Sequence, residues 1–148
     1  MSKPVCIVTG VGPGTGAACV RRFAADYTVA MMARSADRLS ELAAEIPDAH
    51  AYPCDVTDTD ALHTTLAKIS TDLGDPSTLV HNAVGGAFGS FSEIEPAVLE
   101  NNFQVNTMAL LHLARALTPK MVEQAEGSIV ITGNTSAYRG MAYFAGFA

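Results

Sequence analysis

The sequence predicts an α/β fold: a doubly wound parallel sheet in three layers, with helices on both faces. Three observations predict it. Short apolar, β-branched runs alternate with helix-length amphipathic segments along the chain, which is the pattern of βαβ units. The first run, Val5-Cys6-Ile7-Val8-Thr9, is apolar on both faces, as a strand covered by helices on both sides must be. A glycine-rich turn then leads from this strand into the first helix. Right-handed crossovers wind such units into an open sheet, and a ligand binds beyond the carboxyl ends of its strands, at the switch point.

The elements follow in order. Thr15 to Asp26 reads as a helix that buries Ala17, Ala18, Val20, Phe23 and Ala24. Thr28 to Met32 is the second strand. Ala36 to Ile46 is a helix with Leu39, Leu42 and Ile46 at helical spacing, stopped by Pro47. His50 to Cys54 is a short third strand. Asp58 caps a helix that runs to Leu73, with Leu62, Leu66, Ile69 and Leu73 as its stripe. Gly74-Asp75-Pro76 is a turn, Thr78 to His81 a fourth strand, and Gly85 to Gly89 a glycine-rich loop. Pro96 to Glu126 holds one long helix or two, and Ser128 to Thr132 is the fifth strand.

Composition narrows the function. The 148 residues are expected to form one domain, 1–148; 49% are apolar and only 16% charged, which describes a buried core. The net charge of −6 and the lack of any basic cluster speak against nucleic acid. Arg21-Arg22 reads as a solvated helix face. No apolar run could span a bilayer, and the first residues lack the features of a secretory signal, so a cytoplasmic location is expected. Cys6, Cys19 and Cys54 have neither zinc nor redox spacing, and His50, His63, His81 and His112 form no ligand pattern. No metal site is expected.

The glycine turn carries the functional signal. Gly12-Pro13-Gly14-Thr15-Gly16-Ala17 fits the G-x-G-x-x-G/A fingerprint of dinucleotide binding, and it sits where a strand becomes a helix. Glycine allows positive φ at a tight turn and lets bare backbone approach a pyrophosphate. The helix N-terminus beyond it offers free N–H groups and partial positive charge. A phosphate-binding P-loop is excluded, because Ala17-Ala18 stands where a Lys-Ser/Thr pair would be needed. The second strand ends Met31-Met32-Ala33-Arg34-Ser35, with no acid to grip a ribose 2′-hydroxyl. Arg34 suits a 2′-phosphate instead, so NADP(H) is favoured over NAD(H).

The turn from Thr9 to Gly16 has the form T-G-x-x-x-G-x-G and resembles the cofactor motif of short-chain dehydrogenases/reductases. The resemblance runs along the whole chain and implies a Rossmann-like fold. Asp55-Val56 is similar to that family's D-V pair at the adenine. His81-Asn82-Ala83-Val84 resembles its N-N-A-G stretch; Asn82 and Ala83 match, whereas His81 and Val84 depart. Asn106 falls where the family carries a helix asparagine that supports a proton relay. The resemblance implies cofactor contacts from Gly10, Gly12, Pro13, Gly14, Thr15 and Gly16, and from Arg34, Asp55, Val56, Asn82, Ala83 and Val84. It also implies hydride transfer between the nicotinamide and a small carbonyl/alcohol substrate, in a homo-oligomer.

The catalytic stretch departs from the family. Aligning the fifth strand puts Asn134 at the position of the family's serine and Phe147 at that of its tyrosine; the lysine of Y-x-x-x-K falls past the last residue. None of Tyr27, Tyr52, Tyr138 or Tyr143 begins that motif. A phenyl ring neither donates nor accepts the proton that accompanies hydride transfer. Asn106 and Asn134 remain as candidates near the reacting centre, with Thr135, Ser136, Tyr138 and Tyr143 as nearby hydroxyls. Two alternatives follow: a dinucleotide-binding protein without redox activity, or a methyltransferase whose G-x-G-x-G loop holds S-adenosylmethionine. The second lacks the acids usual before that loop and at the tip of strand two. The family's further strands have no counterpart in the sequence, so a sheet cut short at its C-terminal side, in need of cover, is expected.

Overall fold

The computed structural model describes residues 3–147. Five strands form one parallel sheet in the order β3-β2-β1-β4-β5. They are β1 (Val5–Thr9), β2 (Thr28–Ala33), β3 (Ala49–Pro53), β4 (Pro76–His81) and β5 (Ser128–Ile131). The helices are α1 (Thr15–Phe23), α2 (Ala36–Glu45), α3 (Thr59–Leu73), α4 (Pro96–Phe103) and α5 (Ala109–Glu123). The order reverses between β1 and β4, which places the switch point at the end of β1.

Alternation along each strand divides the core in two. Val5 and Ile7 of β1, with Ala30 and Met32 of β2, face α3 and α5 through Leu62, Leu66, Ile69, Leu113 and Leu117. Cys6 and Val8, with Val29 and Met31, face α1 and α2 through Ala17, Val20, Leu39 and Leu42. Cys6 is inert in this setting, since burial pushes its thiol up to about 12. Ala18, expected inside, is exposed; the buried side of α1 is Gly16, Ala17 and Val20 instead. Arg21 and Arg22 lie on the exposed side and pair with Glu45 and Asp26.

Helix starts follow their caps. Ser35 Oγ accepts from Arg38 N, and Asp58 Oδ1 accepts from Ala61 N at 3.0 Å. Pro76, expected in a turn, is instead the first residue of β4, a position where a strand needs no N–H from it. The segment after Pro96 is a single helical rod with a π turn at Gln104–Met108, where Ala109 N donates to Gln104 O, five residues back.

The sheet is unevenly covered. All four residues of β5 are exposed, including Val130 at 46% and Ile131 at 54%. Among the described residues no helix is long and apolar enough to cross a membrane.

Candidate functional site

At the switch point β1 ends in Thr9 and turns at Gly10, whose φ is +66°. A Cβ on Gly10 would lie 2.5 Å from Cα and N of Ala83 and from the Asn82 carbonyl oxygen. Glycine is thus demanded twice, by backbone conformation and by the approach of the β4 exit. Gly16 is similarly closed: a Cβ there would meet Gly10 O at 2.5 Å. Gly12 and Gly14 differ. Nothing lies within 4 Å of a Cβ placed on either, and both line a cleft of about 960 Å³. Their bareness serves the cleft rather than the packing. Helix α1 starts from Gly14 with no side-chain cap, which leaves its first N–H groups available to an anion.

The cleft continues past Thr15 and Gly16 to the tips of β2 and β3. There Arg34, Ser35 and Arg38 form one wall, and Asp55 with Val56 the other. The Asp55 carboxyl is held below the usual carboxylate range by hydrogen bonds from Thr57 N and Oγ1, and further by the charge of Arg34. Both Thr57 bonds end on Oδ1, so Oδ2 has no hydrogen-bond partner among the described residues. Arg38 was not singled out from the sequence. It sits in the first turn of α2, three residues past the Ser35 cap, and lines the same end of the cleft as Arg34.

At the other end the cleft passes Asn82, Ala83 and Val84 to Gly85 and Gly86, and meets α4 at Val98, Asn101 and Asn102. The Asn82 side chain is structural: Nδ2 donates to Gly10 O at 2.9 Å, and Oδ1 accepts from Thr132 Oγ1 at 3.1 Å. Thr9 Oγ1 accepts from the backbone N–H of Asn82 and of Ala83. The glycine turn and the β4 exit are therefore stitched together from both sides. Pro13 is exposed and stands outside the cleft lining.

Each of the three residues expected near the reacting centre has its own set of partners. Asn106, in the π turn, spends both ends of its amide on Gly85: Oδ1 accepts from Gly85 N at 2.7 Å and Nδ2 donates to Gly85 O at 2.9 Å. Asn134 is exposed and caps a short 3-10 turn, its Oδ1 accepting from Ser136 N at 2.9 Å. Phe147 packs its ring over Gly86, where even a Cβ would overlap it, and clusters with Phe88 and Phe144. None of the three lines the cleft. Of the neighbouring hydroxyls, Tyr138 is 94% exposed and Ser136 is buried. Asn102 is a further residue that sequence reasoning missed: buried, it donates from Nδ2 to Gly146 O and ties the last described turn to α4.

A parallel sheet of this order, with a bare glycine turn at its switch point, defines a Rossmann-type α/β protein. The family model described as short chain dehydrogenase matches residues 4–148, and the chain belongs to that family of oxidoreductases. It is 33% identical over 136 residues to serine 3-dehydrogenase of Agrobacterium fabrum, covering 89% of this chain and 54% of that one. A short-chain dehydrogenase from Streptomyces avermitilis superposes with a TM-score of 0.90 at 32% identity, over 99% of this chain and 55% of that one. An NAD+-bound xylitol dehydrogenase does so with a TM-score of 0.88 at 26% identity, over 99% of this chain and 58% of that one. The chain thus spans about half the length of the relatives it matches.

Proposed function

We propose that this chain is the cofactor-binding part of an NADP(H)-linked oxidoreductase acting on a small carbonyl/alcohol pair. The observation that carries the proposal is the make-up of the cleft: bare backbone at Gly12 and Gly14 in its middle, and two guanidinium groups with no acid at the tip of β2. Those residues fit the group. The uncapped start of α1 suits a pyrophosphate, and Arg34 with Arg38 suits a 2′-phosphate, which a guanidinium can grip through two N–H groups. Asp55, with its free Oδ2, suits an exocyclic amine of the adenine, and Val56 the ring itself.

Bound there, the nicotinamide supplies or takes the hydride. The protein's share is placement. Thr9, Asn82 and Asn106 hold the turn, the β4 exit and Gly85 in fixed relation, so the cleft floor is built before a ligand arrives. A homo-oligomer belongs to the same reading.

The experiment is calorimetric titration with NADPH and NADH. NADPH is expected to bind more tightly by roughly tenfold to hundredfold, matching about 1.5–3 kcal/mol for a hydrogen bond to a charged group. Arg34→Ala is expected to remove most of that difference. Equal affinities would retire the NADP preference, and no binding of either would retire the cofactor reading.

A second reading is favoured by one observation. Phe147 fills the space over Gly86 with a ring that carries no transferable proton. On that reading the protein binds the dinucleotide without turning over a substrate. NADPH binding with no oxidation in the presence of a broad carbonyl panel would support it.

A further inference from the structure

His81 ends β4 and is 2% exposed, and its Nε2 is the one buried side-chain nitrogen or oxygen without a hydrogen-bond partner among the described residues. Its other nitrogen, Nδ1, lies 3.0 Å from Thr9 Oγ1. The same hydroxyl sits 3.2 Å from Asn82 N and 3.3 Å from Ala83 N. Backbone N–H groups only donate, and a hydroxyl has two lone pairs and one proton. The two amides take both lone pairs of Thr9. Its proton is then directed at Nδ1, which must be the unprotonated nitrogen. The neutral ring therefore carries its hydrogen on Nε2. The backbone of Val105 and Asn106 in the π turn lies beside the ring, and Nε2 has no partner within close hydrogen-bond geometry.

We propose that His81 is a positioning residue: held as the neutral Nε2–H tautomer, it couples the glycine turn, through Thr9, to the π turn that carries Asn106. Thr9 fixes the amides of Asn82 and Ala83, and Asn106 fixes Gly85. His81 lies between them, with Nδ1 on Thr9 and its ring beside the backbone of Val105 and Asn106. A second proton on the ring would have to sit on Nδ1, against the Thr9 hydroxyl proton. Thr9 would then have to release one of the two amides to accept it. From β1 the ring faces Thr9, from β5 its register partner is Ile131, and from the π turn it faces Val105 and Asn106; none of these side chains titrates. Burial holds the ring below the ordinary histidine range, in keeping with a neutral state.

The tautomer does not depend on the cofactor reading; only the binding measurement rests on it. Long-range proton–nitrogen correlation spectra of the histidine-labelled chain, with His81→Gln as the assignment control, read the tautomer directly. At neutral pH the Nε2–H pattern is expected for His81. An Nδ1–H pattern or a doubly protonated ring would overturn the proposal. Thr9→Val removes the hydroxyl, and it is expected to change the His81 pattern, shift the Asn106 side-chain amide signals and weaken NADPH binding about tenfold. Thr9→Ser is expected to restore all three. Asn106 signals that stay fixed in folded Thr9→Val would overturn the coupling. Wild-type chain that binds no NADPH would retire the cofactor reading while leaving the spectra to decide this one.

Discussion

Asn106 grips both the N–H and the carbonyl of Gly85, at 2.7 and 2.9 Å, so that a helix side chain stands in for a neighbouring strand at the exit of β4. Asn106→Ala abandons both groups, and Asn106→Asp sets a second oxygen against the Gly85 carbonyl. A loss of about 1–3 kcal/mol is expected for either, since partly buried polar groups are left unpaired. Urea unfolding measures the loss, and amide exchange across Gly85 to Gly89 is expected to quicken with it. Wild-type exchange there in the variants would mean that the loop is held by other contacts.

The glycines of the turn are expected to separate by function. Gly10→Ala meets Ala83 backbone at 2.5 Å and places a side chain at φ +66°, so it is expected to cost about 2 kcal/mol or more in stability. Gly12→Ala meets nothing within 4 Å and is expected to leave stability within about 0.5 kcal/mol. On the proposed reading it projects a methyl into the cleft and weakens NADPH binding. Thermal unfolding beside calorimetry distinguishes the two, and equal destabilisation by both would contradict the assignment.

Stability is expected to fall on the acid side because of His81. Burial lowers its pKa in the folded chain, so the folded ring resists a proton that the unfolded chain accepts at the ordinary value of 6.5. Its contribution is complete above that value and is lost as pH falls through it toward the lower folded value. Unfolding free energies at pH 7.5 and pH 5.5 test this, with His81→Gln expected to flatten the difference. A variant with the same slope as wild type would assign the dependence to other groups.

Self-association is expected of the 148-residue chain. Ile129, Val130 and Ile131 are exposed on a strand whose outer edge carries no partner strand among the described residues. Exposed apolar edges of this kind pair with other chains. Sedimentation velocity is expected to show concentration-dependent species that Val130→Lys reduces. A monodisperse monomer over a wide concentration range would remove the expectation.

The sequence was most legible where a local rule operates. β1 and the start of α1 were read to the residue, because an apolar run meets a glycine turn and the following helix tolerates no other start. Asp58 was found as a cap from its side chain alone. The π turn was not, since Gln104-Val105-Asn106-Thr107-Met108 has ordinary helical composition and the widened turn depends on what packs beside it. Arg38 lay within reach of reading, as a second arginine close after the tip of β2. The fate of the amides of Asn102 and Asn106 was out of reach, because each partner, Gly146 or Gly85, is a backbone group brought close only by the fold.

The two-sided core of β1 has a bearing on how the chain finds its alignment. In a sheet with one wet face, a slip of one residue turns apolar groups to solvent and is rejected at once. Here both faces are dry, with Cys6 and Val8 on one and Val5 and Ile7 on the other. Polarity therefore discriminates poorly between neighbouring alignments of β1 and β4. The fine choice falls to the strand's end, where only Gly10 fits against Ala83 and only Thr9 meets His81. The ligand-facing turn is thus also the vernier of the sheet, and substitutions there are felt in folding fidelity as well as in binding.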